Sequence, residues 1–166
     1  MTVLEPGRYV CVSTPGFMAW LIRKVTKSSV NHAVLVTGPD EIIEATPHGV
    51  VRGTLSQYAG MYAVANTAET MTQEQRIAAV AFAETLVGDG YNILADADIG
   101  LEDLGWHWKF LMRVSRADRL LMCAQAVAVE GQAAGLDWLC GKPSADQVAP
   151  GDLARRPGVE RVTITA

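Results

Sequence analysis

A cysteine, a histidine and a glutamate, far apart along the chain, carry most of the chemistry that this 166-residue sequence offers. Cys123 stands in RLLMCAQAVAVEGQAAGL, which reads as a helix over residues 123–134 with Gly135 at its C-terminal cap. A cysteine in a first helical turn meets free backbone N–H groups and the positive end of the helix dipole, both of which favour thiolate. The same N–H groups suit an oxyanion formed on attack, and the N–H of Cys123 is the expected donor. By position alone, an inert core thiol competes with this reading.

A thiolate nucleophile needs a base and a group that orients the base. The chain has three histidines, His32, His48 and His107. His48 reads as a turn residue, and His107 lies between two tryptophans in a short helical segment, residues 106–114. His32 opens a strand in NHAVLV, which positions it best. Glu44 follows twelve residues later in IIEAT, with Gly38 midway. Residues equidistant from a hairpin turn face one another, so Glu44 is expected opposite His32, holding its tautomer and stabilising imidazolium. Alternation puts His32, Val34 and Val36 on one face, and Ile42, Glu44 and Thr46 on one face of the partner strand. A metal site built from His32, Glu44, His48 and Cys123 competes for these side chains, but HxxxH, HExxH and CxxC spacings are absent. There is no phosphate loop, dinucleotide fingerprint or GxSxG elbow, so no cofactor is expected.

These residues must be positioned by a compact α+β domain, a single unit over residues 1–166. Strands are expected at 8–13, 30–37, 41–46, 50–52 and 61–66, forming an antiparallel meander, with turns at Gly38-Pro39-Asp40 and Pro47-His48-Gly49. A last β-like run covers 159–165. Helices are expected at Phe17 to Val25 and, after a Thr72–Gln75 capping box, at 76–87; the second is apolar almost all round and is expected to be largely buried. Cys11, between valines, reads as core. The apolar face of the Phe17 to Val25 segment is assigned to core packing, with an acyl-groove wall or membrane-surface contact as the alternatives.

Hydrophobic residues make up 49% of the chain and charged ones 19%, which suits a globule rather than disorder. The net charge of −4 and the lack of a basic stripe argue against nucleic acid. The N-terminus has no signal-peptide pattern, and no apolar run approaches a membrane span. Three cysteines without metal spacing suggest reduced thiols, in a cytoplasm or in a phage particle assembled there.

The order of these motifs resembles the circularly permuted NlpC-type branch of the papain-like cysteine hydrolases, often described as YiiX-like. The resemblance covers nearly the whole chain in short motifs. Asn31-His32-Ala33-Val34-Leu35 matches the family's histidine strand, Ile42-Ile43-Glu44-Ala45 its acidic strand, and Cys123-Ala124-Gln125-Ala126-Val127 its nucleophile helix; Pro150-Gly151-Asp152-Leu153 also fits the branch. It implies a papain-like fold in permuted order and a Cys123–His32–Glu44 triad. Asp89-Gly90-Tyr91 matches a segment whose tyrosine lines the site, so Tyr91 is expected to bind substrate or help the oxyanion. The implied substrate is an amide or peptide, with cell-wall peptide first and a lipid ester or thioester second. Ala124-Gln125 stand where the family has Ser-Glu, which keeps open a weakly active or inactive member serving as a binding or structural module. The Asn-Cys and Glu-His signature of the lecithin:retinol acyltransferase relatives is absent, so hydrolysis is expected over acyl transfer.

Overall fold

The structure, a computed structural model, describes residues 4–46, 48–88 and 118–166. Strands come first and helices follow: β1 (Tyr9–Val12), α1 (Phe17–Val25), β2 (His32–Val36), β3 (Glu41–Thr46), β4 (Gly49–Thr54), a 3-10 turn (Leu55–Tyr58), β5 (Ala63–Ala65), α2 (Gln73–Leu86), α3 (Asp118–Ala133), a second 3-10 turn (Ala145–Gln147), α4 (Pro150–Ala154) and β6 (Glu160–Val162). The strands form one antiparallel sheet in the order β4-β3-β2-β1-β5-β6. The expected meander therefore holds for β1 to β4. The chain then crosses to the free edge of β1, where β5 and β6 extend the sheet. The helical segment expected at 106–114, with His107, lies outside the described residues.

The sheet is buried on both faces, and period-two alternation sorts its side chains between two cores. Tyr9, Cys11, Ala33, Leu35, Ile43 and Ala45 face a core shared with α2 and α3. Val10, Val12, Val34, Val36 and Ile42 face a smaller one, closed by Leu4, Leu55, Tyr58 and Ile164. Cys11 is fully buried at the sheet centre, as its flanking valines imply.

Two helices depart from expectation in how they are buried. The capping box starts α2, with Thr72 and Gln75 exchanging hydrogen bonds. Only Ala79, Ala83 and Leu86 are buried along it, and Ile77 is exposed. Alanines made the helix look apolar all round, yet one stripe suffices to cover the sheet. In α1, Ala19 and Ile22 face inward while Phe17, Trp20 and Val25 face outward, so its aromatic residues are not core.

The small residues of α3 set its approach to the sheet. Ala124, Val127 and Ala128 are buried against β2 and β3. Farther along, Gly131 lies under Trp138, and a Cβ built there would sit 2.4 Å from the indole Cδ2. Trp138 is held edge-on to Tyr9, with ring centroids 4.9 Å apart, and its Nε1 donates to Glu69. Gly131→Ala is expected to cost about 2–3 kcal/mol through this overpacking; thermal denaturation measures it, and an unchanged melting temperature would show that Trp138 yields freely. One turn short of the helix end, Glu130 is 1% exposed, with no hydrogen-bond partner for its Oε2 among the described residues. Burial pushes its carboxyl up to about 8.

Candidate active site

The hairpin β2–β3 brings His32 and Glu44 together, by a register two residues removed from the expected one. Leu35 pairs with Ile43 and Val36 with Ile42. Gly38 to Glu41 close the turn: the Thr37 N–H donates to the Glu41 carbonyl at 2.8 Å and the Gly38 N–H to the same oxygen at 3.2 Å. The turn centre falls beyond Gly38 because Pro39, with its preset φ, occupies the second turn position. Extending the ladder puts Thr46, not Glu44, across from His32. A shift of two preserves the face, so Glu44 becomes a diagonal neighbour within reach of a long side chain. His32 Nε2 donates to Glu44 Oε2 at 2.6 Å, with both side chains largely shielded from solvent.

Two residues not foreseen from sequence complete the environment of Glu44. The Tyr58 hydroxyl donates to Oε2 at 2.5 Å, and Gln57 Nε2 donates to Oε1 at 2.9 Å. Both lie on the 3-10 turn after β4, in the stretch LSQY, which has no periodicity to mark it. Gly53 makes the room, because a Cβ there would stand 2.9 Å from both Gln57 Nε2 and Glu44 Oε1. Burial alone raises the Glu44 pKa, but the hydrogen bonds from His32 and Tyr58 hold it below the ordinary carboxylate value. Burial and the adjacent carboxylate keep the Tyr58 hydroxyl protonated, as a donor must be. Tyr58→Phe is expected to cost about 1.5–3 kcal/mol of stability, the range for a hydrogen bond to a charged group. Gln57→Ala should cost less. Paired thermal melts decide the order, and an equal loss would contradict the ranking.

Cys123 reaches this pair from α3. With Nε2 on Glu44, Nδ1 is the ring nitrogen left for the hydrogen bond between His32 and the thiol. Burial disfavours the thiolate, but the His32 charge and hydrogen bond, with the N–H groups of Ala33 and Ala124, outweigh it and lower the Cys123 pKa. His32 moves the opposite way: burial disfavours its cation, yet the sulfur and Glu44 raise its pKa. Together these shifts favour the thiolate–imidazolium form of the pair. Burial raises the other two thiols, Cys140 to about 11.

The geometry at Ala33 has a cause in the sheet. Val36 N–H donates to the carbonyl of Arg8, just before β1, so by alternation the Ala33 N–H points to the β3 side. The ladder between β2 and β3 ends at Leu35 and Ile43, and this N–H goes to the sulfur instead.

The start of α3 differs from expectation. The described part of α3 already runs from Asp118, so Cys123 stands beyond the first turn. Arg119, Leu120, Leu121 and Met122 are all good helix formers, and nothing in them delays the start. The dipole's effect is confined to the end turn, and the Cys123 N–H is placed for an intrahelical bond. His32 and Ala33 thus take over the roles assigned to the helix terminus. Tyr91, expected to line the site, lies outside the described residues. His48 is exposed, its N–H bonded to Thr46 Oγ1, and it does not join the site. Among the described residues, no three His, Cys, Asp or Glu side chains converge as a metal would require.

Beside the triad, Asn31 anchors the start of β2. Its Oδ1 accepts from the Thr14 N–H at 2.9 Å and from Arg23 at 2.6 Å, and its Nδ2 donates to Thr14 Oγ1 at 2.7 Å. The end of α1 is thereby tied to the residue preceding His32.

No protein-family model matches this chain, and no curated protein matches it.

Proposed function

We propose that this chain is a cysteine hydrolase that cleaves an amide or peptide bond with Cys123 as nucleophile, His32 as acid and base, and Glu44 as the group orienting His32. The observation that carries the reading is the continuous thiol–imidazole–carboxylate contact, with the Cys123 pKa lowered and the His32 pKa raised. The Cys123 thiolate attacks the carbonyl carbon, and the carbonyl oxygen takes the electron pair. As the C–N bond breaks, imidazolium protonates the departing amine, leaving an acyl thioester. Neutral His32 then removes a proton from water as the water oxygen attacks the thioester; collapse of the tetrahedral intermediate expels the Cys123 thiolate and releases the acid, and His32, keeping the proton, restores the pair. The Ala33 N–H, already directed at the sulfur, is the backbone donor beside the developing oxyanion.

The motif order, similar to that of the permuted NlpC-type hydrolases, supports a papain-like assignment and makes cell-wall stem peptides the first substrates to assay. Acyl esters and thioesters come second. A binding or structural module is the competing reading, supported by Gln125. Where the family has glutamate, its Nε2 donates to the Asp146 carbonyl at 3.0 Å and so braces α3 against the second 3-10 turn. The experiment is alkylation by iodoacetamide at mildly acidic pH, read by mass spectrometry at all three cysteines. Selective labelling of Cys123 that depends on His32 supports the hydrolase; equally slow labelling of all three thiols refutes it.

A further inference from the structure

On α1 two exposed aromatic rings stand together beside cations; a single exposed ring, Tyr62, lies under Arg161 at 5.4 Å elsewhere on the described surface. Phe17 is 72% exposed and Trp20 46%, although large apolar side chains normally bury. Their rings stack with centroids 5.8 Å apart, and Lys24 Nζ lies 6.0 Å from the Trp20 ring centre. Val25, on the flank, is 73% exposed. Behind this face, Ala19 and Ile22 fasten the helix to the protein. A hollow of about 510 Å³ opens beside Trp20, floored by Lys24, Lys27, Ser28 and Ser29.

Charge identifies the partner. The chain carries −4 overall, yet between Glu5 and Asp40 there is no acidic residue, only Arg8, Arg23, Lys24 and Lys27. Arg23 is turned inward, donating to the Thr14 carbonyl at 2.7 Å and to Asn31. Lys24 and Lys27 are the exposed cations beside the rings. A protein groove that received Phe17 and Trp20 would have to provide for two lysines; a lipid surface offers acyl boundary and phosphate together. Ile77 on α2 makes the contrast: equally apolar and 59% exposed, it sits among Glu5, Gln73 and Arg76, of both charges.

We propose that α1 docks on an anionic lipid bilayer, with Phe17 and Trp20 in the boundary between headgroups and acyl chains and with Lys24 and Lys27 on lipid phosphates. The helix lies in the plane of the interface, since nine residues are too few to cross it. The Arg23–Asn31 tie fixes the docked helix relative to His32, so a bilayer-bound chain holds the thiol–imidazole pair at a set position along the surface.

The test is flotation of the full chain with phosphatidylcholine vesicles, with and without phosphatidylglycerol. Wild type is expected to float only with phosphatidylglycerol, and less as salt is raised. Phe17→Ala/Trp20→Ala and Lys24→Glu/Lys27→Glu are each expected to lower partitioning about tenfold or more. Ile77→Ala should not change it. All the altered side chains are exposed, and unchanged melting temperatures will show that the variants fold. Failure of wild type to float, equal flotation without phosphatidylglycerol, or indifference to either double substitution would overturn the proposal. So would self-association that is lost in Phe17→Ala/Trp20→Ala, without vesicle binding, since a second copy would then be the occupant.

Discussion

His32→Ala is expected to slow alkylation of Cys123 at pH 6 on the order of 100-fold, and to abolish any hydrolysis with it. A thiol left at the ordinary pKa of about 8.5 is ionised to only about 0.3% at pH 6. Part of the loss returns because a more basic thiolate is a better nucleophile, with a Brønsted slope of about 0.4–0.5. Without the imidazolium, burial is opposed only by the N–H groups of Ala33 and Ala124, which deepens the loss. Cys11 and Cys140 serve as internal references, both held as thiols by burial. The pH profile separates this cause from simple unfolding. In wild type, the reactive form persists to pH values below the ordinary thiol range. In His32→Ala, the onset of labelling should move to alkaline pH while the melting transition remains cooperative. A rate at pH 6 that survives the substitution would mean that His32 does not supply the stabilising charge.

The second large effect concerns Glu130. Its carboxyl is buried on α3 and titrates near 8 in the folded chain, against about 4.5 when exposed. Between those values the folded state holds a proton that the unfolded state has released. Stability is therefore fully present below about pH 4.5, falls as pH rises, and levels off above about 8. At about 1.4 kcal/mol per pH unit, the upper limit of the change is about 5 kcal/mol, reduced by whatever relaxation lets water reach the charge. Glu130→Gln keeps the shape and removes the titration. The difference in unfolding free energy between variant and wild type, measured by urea denaturation from pH 5 to pH 9, is expected to grow in favour of the variant up to about pH 8 and then to level off. The other titrating groups are common to both proteins and cancel. A difference that stays flat across that range would place the folded pKa of Glu130 near its ordinary value.

The sequence disclosed local structure more faithfully than relations across the sheet. The bounds of α1 and β3 follow from apolar pattern and turn residues, and the Thr72–Gln75 box marks the start of α2. His32 and Glu44 were legible as a pair because parity decides the face, and parity survives a two-residue error in the turn centre. The register itself was not legible, since Gly38-Pro39-Asp40 admits more than one centre. Tyr58 and Gln57 were invisible for a different reason. Their role arises where the chain leaves β4 and folds over the sheet, and no spacing within LSQY encodes that return. The outward face of α1 was misread because Phe and Trp at helical spacing ordinarily mark a core; only the structure shows that Ala19 and Ile22 do the packing.

One consequence follows from where the three site residues lie along the chain. Imidazole and carboxylate belong to a single hairpin, twelve residues apart, whereas the sulfur arrives 91 positions after His32. The first contact forms with local structure; the second waits for α3 to dock on β2 and β3. Without α3 docked, the imidazole–carboxylate pair stands without the sulfur, and Cys123 lacks its contact with His32. Lowering of the Cys123 pKa therefore depends on the docking of α3, so the state of the thiol reports on closure of the core.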